Sequence, residues 1–255
     1  MLRLTGRDAV LEATGGGPYV RFATSMAAGI AGIATDGAVL WWGNGPLGRL
    51  GHGLGDASTL DLLIDRVRAA GELAGVRRIN LPRRDAPPPG SAAPGLPPGF
   101  TRNEDWDFRW SEAAPPDQPG QSTVRQIDDA AAIEKLLDEA FPDSMLRPGH
   151  PMVSGWYGVW SDGRLVACAA DRSTRTAEPG VPVVGVLGGI AVHPDHRRHG
   201  WGAAVTAALT TRLRTRHSLV ALGVVADNHG ATRLYERLGF TGVHEITSAR
   251  PPAPA

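Results

Sequence analysis

One segment of this chain, residues 183–240, constrains its fold more than any other part. It begins with a short apolar run at residues 183–192, which is typical of a buried β-strand. A proline turn around Pro194 follows, and then a basic run with two glycines at residues 197–203. The next residues place their apolar side chains at helical spacing. This order of strand, glycine-containing loop and helix predicts an α/β unit whose helix begins at the loop.

The loop at residues 197–203 has a composition that suits a pyrophosphate. Free backbone N–H groups and the positive end of the helix dipole converge at a helix N-terminus. Gly200 and Gly202 let the main chain approach a phosphate because they carry no Cβ. Arg197 and Arg198 add positive charge and can form bidentate contacts. Taken alone, the loop is equally compatible with a glycine-containing turn into a surface helix.

A second group of motif residues follows a buried strand at residues 219–225. Its members, in chain order, are Asn228, Ala231, Leu234, Tyr235, Leu238, Gly239 and Phe240. Together with the basic loop, this group resembles the signature of the GNAT N-acetyltransferase superfamily. That signature is (Arg/Gln)-x-x-Gly-x-(Gly/Ala) after a strand, followed by Asn…Ala…Leu-Tyr…Leu-Gly-Phe. The resemblance implies acetyl-CoA, or another acyl-CoA, as co-substrate and no metal.

The resemblance also implies which residues bind the cofactor. They are Ile190, Ala191, Val192, Arg197, Arg198, His199, Gly200, Trp201, Gly202, Ala203, Asn228 and Ala231. In the family, the strand that ends near Val192 diverges from its neighbour and holds the pantetheine arm like an added strand. A main-chain N–H around Ala191 or Val192 would then stabilise the oxyanion. Asn228 would contact the pantetheine amides while it caps the next helix.

Tyr235 is the predicted catalytic residue. When an amine attacks the thioester, the leaving thiolate needs a proton, and a phenol next to the cofactor sulfur can donate it. The alternative interpretation is an ordinary core tyrosine beside Leu234 and Leu238 on an amphipathic helix.

The sequence assigns no general base. The strand before the loop carries Gly188 and Gly189 where an acidic residue could have served. His193, His196 and Glu178 are near in sequence, and each is interpreted as a solvated loop residue.

The composition excludes several classes of function. The net charge is zero, which removes the electrostatic case for nucleic acid or an anionic membrane as partner. Cys168 is the single cysteine, and its apolar neighbours predict a buried, inert thiol. No run approaches the ~20 apolar residues of a membrane helix, and the N-terminus lacks a signal-peptide pattern. The expectation is a soluble, cytoplasmic protein.

The predicted organisation is a tandem of two α/β domains, the second with a GNAT-like mixed sheet flanked by helices. Proline-rich stretches at residues 87–99 and 113–120 mark an insertion and a linker. The predicted parts are a degenerate GNAT-like or small α/β domain at 1–112, a linker at 113–122, a GNAT acetyltransferase domain at 123–248 and a tail at 249–255.

The elements of the N-terminal domain are less distinct. Strands are predicted at residues 19–23, 38–42, 76–81 and 106–110, together with a helix capped by Asp56. The glycines of residues 45–51 lack the basic-x-x-Gly-x-Gly spacing. They are interpreted as a glycine-rich loop before a helix, with a second pyrophosphate loop as the alternative.

The C-terminal elements follow the order of the superfamily. Strands are predicted at residues 123–127, 156–160, 165–169 and 242–246, in addition to those at 183–192 and 219–225. Helices are predicted through residues 133–140, from Gly200, and from Ala231 to Leu238. The aromatic side chains Trp156, Tyr157 and Trp160 either line an acceptor groove or fill the core.

The leading hypothesis is direct transfer of an acetyl or acyl group from acyl-CoA to a primary amine of a small molecule or peptide. The first alternative is a non-catalytic acyl-CoA sensor, because no base is evident. The second is an acyl-CoA hydrolase. Sequence leaves the acceptor open, and it leaves open whether the protein is a monomer or a homodimer.

Overall fold

The computed structural model describes residues 1–84, 96–173 and 184–251. In these ranges the chain forms twelve β-strands and six α-helices. They belong to two compact units, unit 1 with Met1–Phe108 and His244–Ala255, and unit 2 with Arg109–Val243. Most of the predicted proline-rich insertion at 87–99, together with Glu178 and Val183, lies outside the described residues.

Unit 1 is an α/β unit whose strands follow one another along most of its sheet. Its elements are β1 (Leu2–Thr5), α1 (Gly6–Thr14), α2 (Pro18–Ser25), β2 (Ala28–Thr35), β3 (Ala38–Gly45), β4 (Gly48–Gly55), α3 (Ala57–Ala69), β5 (Val76–Pro82), most of β6 (Thr101–Ser111) and the end of β12 (Gly242–Arg250). The strand order is β1-β2-β3-β4-β5-β12-β6. Strands β1 to β4 pair antiparallel, β4 and β5 pair parallel, and β12 lies antiparallel to β5.

In unit 2 the strands lie in the order β11-β10-β9-β8-β7, with both parallel and antiparallel pairing. Its complete elements are β7 (Arg125–Ile127), α4 (Ala130–Ala140), β8 (Gly155–Ser161), β9 (Arg164–Asp171), β10 (Gly185–Val192), α5 (Trp201–Arg214), β11 (Val220–Val225) and α6 (His229–Arg237). Short 3-10 turns lie at Gln121–Thr123 and Pro194–His196. Strands β7 to β10 pair antiparallel, and β10 and β11 pair parallel.

The two units therefore repeat one pattern of pairing. In each, a first strand pairs antiparallel with the first strand of a three-stranded meander. In each, a helix follows the meander and leads to a strand parallel to the meander's last strand. This repetition confirms the predicted tandem of α/β domains.

Local chemistry explains where several helices begin and end. Asp129 caps α4, since its carboxylate accepts the Ala132 N–H at 2.9 Å. Asn228 caps α6 by accepting the Ala231 N–H at 3.1 Å. After α6 the chain passes through Gly239 in the left-handed region (φ 89°), as predicted for a helix C-terminus.

Apolar side chains form a core on each face of the unit 2 sheet. Helix α5 covers one face with Val205, Leu209 and Leu213. Helix α4 covers the other face with Ile133, Leu136 and Leu137. None of the helices in the described ranges is long and apolar enough to cross a membrane.

Two N-terminal predictions were wrong. Residues 19–23, predicted as a strand, lie in helix α2, which Pro18 starts at its first position. Tyr19, Val20, Ala23 and Thr24 are buried at helical spacing there, so helix packing outweighs the β-propensity of the aromatic residues.

The glycines of residues 45–51 were also misplaced. Gly45 and Gly48 face each other across the turn of the β3–β4 hairpin, and Gly51 lies further along β4. The segment is therefore neither a loop before a helix nor a phosphate loop.

The units differ from the predicted domains at two places. The last strand was predicted as part of the C-terminal domain, but residues from His244 onward belong to unit 1 because β12 pairs with β5 over Ile246–Ala249. The predicted linker 113–122 lies within unit 2. There, a Cβ on Gly120 would come within 2.7 Å of the Trp201 ring, which shows how closely this segment packs on α5.

The substitution Gly158→Ala should destabilise unit 2. A Cβ at this position would overlap the Ala167 carbonyl oxygen and lie 2.5 Å from Ile127 Cδ1. Overpacking of this kind costs about 1–3 kcal/mol. Thermal unfolding followed by circular dichroism should show a lower midpoint than wild type.

The matched control is Gly155→Ala on the same strand. A Cβ there meets Tyr157 at an ordinary 3.6 Å. An equal loss of stability in both variants would contradict this account of Gly158.

Candidate functional site

The feature that defines the site is an open edge between β10 and β11. Their parallel pairing runs only from Gly185–Val220 to Leu187–Leu222. Strand β10 continues to Val192 and β11 to Val225, beyond the last pair. Backbone groups on this side of β10 after Leu187 therefore lack a neighbouring strand. This is the divergence that the resemblance implied.

The main-chain groups of Ile190 and Val192 face this open edge. The His193 N–H donates to the Val166 carbonyl on the β9 side at 2.9 Å. Because successive residues of a strand point their backbone groups to opposite edges, Val192 and Ile190 point away from β9. Val192 is thus the better of the two predicted oxyanion donors, and Ala191 points to β9.

A bulge in β10 lies beside the open edge. Pairing with β9 shifts register between Gly188 and Ala191. The buried Cys168 thiol donates to the Gly189 carbonyl there, at 3.7 Å. Burial raises the pKa of the Cys168 thiol to about 12, and the Ala191 amide offsets only part of that rise. Cys168 therefore stays a neutral thiol, and its hydrogen bond satisfies the Gly189 carbonyl in the bulge.

The loop before α5 presents a row of free amides. Within the described residues, the backbone N–H groups of residues 198–203 donate to no acceptor. Gly200 occupies the N-cap position with φ 85° and has no side chain that could cap the helix. Arg198 also has positive φ, 66°, which is uncommon for a residue other than glycine. Such backbone strain concentrates at functional sites.

The predicted loop side chains have different surroundings. Arg198 and His199 are exposed, and neither has a partner in the part of the chain that the structure describes. Arg197 instead bonds two carbonyls, those of Val192 at 3.4 Å and Ala140 at 3.3 Å. Arg197 thus ties the loop to the sheet and to α4, while Arg198 remains available to an anion.

The other predicted cofactor residues lie next to the same core. Ile190, Val192, Trp201 and Ala231 pack, half-buried, against the apolar cluster on the α5 face. A Cβ on Gly202 would make ordinary 3.5 Å contacts with Leu234 and Val192, so this glycine permits close packing rather than strain. The side-chain oxygen of Asn228 (Oδ1) caps α6, and the side-chain nitrogen (Nδ2) remains free to donate a hydrogen bond.

Tyr235 belongs to the same apolar cluster, and its side chain is 6 % exposed. Its ring meets Phe240 edge-on at 6.2 Å. Its hydroxyl has no hydrogen-bond partner among the described residues. Burial raises the pKa of Tyr235 to about 12, so the phenol is protonated at neutral pH.

His193 is buried and has no free nitrogen to act as a base. Its Nε2 lies 3.0 Å from Glu139 Oε2. Its Nδ1 accepts the Asp195 N–H at 3.2 Å. These two contacts fix the tautomer with the proton on Nε2, so His193 joins the loop to α4 and is not the solvated loop residue that was predicted.

The predicted aromatic side chains divide between core and surface. Trp156 and Tyr157 are buried, on opposite faces of the sheet. Trp160 is 45 % exposed, beside a cavity of about 120 Å³ between α4 and the β8–β9 hairpin. That cavity contains no residue of β10 or α5, so it is separate from the open edge.

Arg172, which the sequence did not single out, lies against the glycine pair of β10. A Cβ on Gly188 would overlap the Arg172 Cδ and come within 2.7 Å of Leu146 Cδ1. The space where an acidic side chain could have stood is therefore filled by the arginine stem. Two adjacent glycines in an apolar strand were the available signal, because they often mark a close approach by another group.

Unit 1 has a different arrangement at the corresponding helix. Only Asp56 separates β4 from α3, and its carboxylate accepts the Thr59 N–H at 2.9 Å. Bonds from the Ser58 hydroxyl and the Thr59 amide hold the pKa of Asp56 at about 2. The N-terminus of α3 is thus capped by a negative charge, whereas the N-terminus of α5 in unit 2 has no capping side chain.

Comparison with known proteins agrees with this geometry. The model of the acetyltransferase (GNAT) family matches residues 121–240. None of the curated proteins compared has a matching sequence.

Three solved structures share the fold over both units. A GCN5-related N-acetyltransferase from Kribbella flavida has a TM-score of 0.55 at 18% identity, covering 95% of this chain and 96% of its own. A GNAT-family protein from Novosphingobium aromaticivorans has a TM-score of 0.54 at 20% identity, with 96% and 97% covered. A GCN5-related N-acetyltransferase from Sphaerobacter thermophilus has a TM-score of 0.54 at 17% identity, with 100% and 97% covered. Residues 121–240 of this chain therefore match the acetyltransferase (GNAT) family, and the three solved structures show that the fold is shared.

Proposed function

We propose that this protein transfers an acetyl group from acetyl-CoA to a primary amine of a small molecule or peptide, by direct attack on the thioester. GNAT enzymes generally use acetyl-CoA. The observation that carries the proposal is the row of free amides at residues 198–203, directly after the open edge of β10. An anion and an extended amide-bearing arm are the two chemical groups that these features fit.

The residues present suit the two parts of the cofactor. The amides of the α5 N-terminus and the exposed Arg198 would bind the pyrophosphate, because the helix dipole and the guanidinium both favour negative charge. No atom lies within 4 Å of a Cβ built on Gly200, so this side of the loop is open. The main chain of Ile190 and Val192, with the free amide nitrogen of Asn228, would pair with the pantetheine amides.

The chemical step requires one proton donor and one oxyanion donor. The amine nitrogen bonds to the thioester carbon as the carbon–sulfur bond breaks, the amine proton passes to water, and the leaving thiolate takes a proton. The Val192 N–H would stabilise the negative charge on the carbonyl oxygen. Tyr235 would donate the proton to sulfur, and it is suited to this because burial keeps it protonated.

We propose that only unit 2 binds the cofactor. In unit 1 the Asp56 carboxylate already caps α3 and would repel a pyrophosphate. The expected location is the cytoplasm, where acetyl-CoA is available and the lone Cys168 meets no oxidising machinery.

The direct test is release of free thiol from acetyl-CoA by the purified protein with a panel of primary amines. Amine-dependent release supports the transferase. Tight CoA binding without release on any amine would support a sensor, and release without an amine would support a hydrolase.

The substitution Gly200→Asp should abolish tight CoA binding. It introduces a carboxylate at the N-cap position, which Asp56 holds in unit 1, so its negative charge would repel the pyrophosphate at the free amides. We expect the dissociation constant for CoA, measured by calorimetry, to rise at least ~30-fold.

Gly200→Asn is the matched control. Asparagine has nearly the same size and tolerates the left-handed conformation, but it carries no charge. Binding should be clearly tighter in this variant than in Gly200→Asp. Equal losses would mean that the backbone conformation, and not the charge, sets the affinity.

The substitution Tyr235→Phe should lower kcat by about 100-fold or more, the usual contribution of a general acid. Phenylalanine preserves the packing against Phe240, so CoA affinity should not change. The difference between wild type and variant should persist to pH 9, because the phenol loses its proton only near its raised pKa of about 12. An unchanged kcat would remove Tyr235 from the mechanism.

A further inference from the structure

The two parts of the candidate site lie on one stretch of chain, and a short segment separates them. Val192, the proposed oxyanion donor, ends β10, and the free amides begin at residue 198. The segment between them, residues 193–197, contains the 3-10 turn Pro194–His196. The separation of the oxyanion donor from the loop amides therefore depends on how this segment is fixed.

His193 is fixed from three sides. Its buried side chain places Nε2 3.0 Å from Glu139 Oε2 on α4. Its Nδ1 accepts the Asp195 N–H at 3.2 Å, inside the turn that follows it. Its backbone N–H donates to the Val166 carbonyl of β9 at 2.9 Å. One residue thus connects the end of β10, the turn and the helix that covers this face of the sheet.

The same turn of α4 also contacts the other end of the segment. Arg197 donates to the Ala140 carbonyl at 3.3 Å and to the Val192 carbonyl at 3.4 Å. Glu139 and Ala140 are the last two residues of α4. The segment is therefore held at both His193 and Arg197 by the C-terminal end of one helix.

The carboxylate that His193 contacts has a defined position. Arg164, at the start of β9, donates to the same oxygen of Glu139, Oε2. Leu136 and Leu137, in the preceding turn, are buried in the apolar cluster between α4 and the sheet. A side chain that is fixed in this way can position its neighbour, which a mobile surface carboxylate cannot do.

The cofactor requires a fixed separation between the two parts of the site. In acetyl-CoA the pantetheine arm joins the thioester to the pyrophosphate, so the oxyanion donor and the loop amides must match its reach. A displacement of ~1 Å at a reacting group can lower a rate by about 100-fold. Groups that keep this separation constant therefore contribute to turnover without contacting the substrate.

We propose that the contact between His193 and Glu139 sets the position of the Val192 N–H relative to the loop amides, so that a cofactor bound at the loop presents its thioester carbonyl to Val192. This inference rests on the proposed acetyl transfer. His193 and Glu139 are positioning residues, because they act through the main chain of β10 and of the loop.

The test compares two ligands, CoA and 3′-phospho-ADP, which carries the pyrophosphate of CoA without the pantetheine arm. His193→Phe keeps a buried ring and removes both side-chain contacts. The Kd for CoA, measured by calorimetry, should rise at least ~10-fold, because the arm no longer meets β10 in register with the loop. The kcat for amine acetylation should fall at least ~10-fold. The Kd for 3′-phospho-ADP should stay within ~3-fold of wild type, because the amides at the start of α5 are retained.

Glu139→Ala tests the same contact from the helix. It leaves the His193 ring and its bond to the Asp195 N–H in place, so the turn is preserved. The Kd for CoA and kcat should change in the same direction as in His193→Phe, again with the Kd for 3′-phospho-ADP within ~3-fold of wild type.

Each variant has a matched control. His196→Phe makes the same substitution in the same turn, where the His196 side chain forms no hydrogen bond with the described residues. Glu134→Ala removes another carboxylate of α4, one that pairs with Arg147 at 3.0 Å. Both controls should match wild type in kcat and in the affinity for each ligand.

The outcomes separate this inference from the proposed function. Wild-type kcat and CoA affinity in both His193→Phe and Glu139→Ala would overturn the positioning role and leave the transferase intact. An equal loss of affinity for CoA and 3′-phospho-ADP would overturn it too, because it would mean that the contact only stabilises the loop. CoA binding without thiol release on any amine would overturn the transferase, and the comparison of the two ligands would still decide the role of His193.

Discussion

The end of pairing between β10 and β11 is the constraint on which the rest of the site depends. A sheet edge inside a domain normally costs free energy, because unpaired backbone groups need partners. Here the edge opens after Leu187 and Leu222, and its exposed groups belong to Ile190 and Val192. The loop that follows leaves its own amides free. Two adjacent sets of unsatisfied donors thus define the candidate site.

The two units share one pattern of strands but differ at the N-terminus of the helix that follows the meander. Both contain a meander, a helix and a parallel strand. In unit 2, eight residues separate β10 from α5 and end at Gly200 without a capping side chain. In unit 1, the connection is Asp56 alone, and its carboxylate satisfies the helix. The difference is one of loop length and of a single charge, and not of fold.

Sequence predicted most of unit 2 and rather less of unit 1. The elements of unit 2 have strong periodicity and clear caps, so β8, β9, α5 and α6 lie close to their predicted positions. In unit 1, the aromatic residues near Tyr19 suggested a strand, although Pro18 starts a helix there. The glycines near Gly45 suggested a loop, although they form a hairpin. Local composition was ambiguous in both cases, and burial of the side chains decided the outcome.

The sequence by itself determined the resemblance of residues 121–240 to the GNAT family, the candidate phosphate loop and the candidate acid Tyr235, because these depend on residue type at fixed spacing along the chain. The tertiary structure alone decided which groups meet across the sheet. It placed Arg172 against Gly188, locked His193 onto Glu139, and gave the end of β12 to unit 1. Such contacts join residues far apart in the chain. Their geometry follows from strand register and packing, which no local pattern encodes.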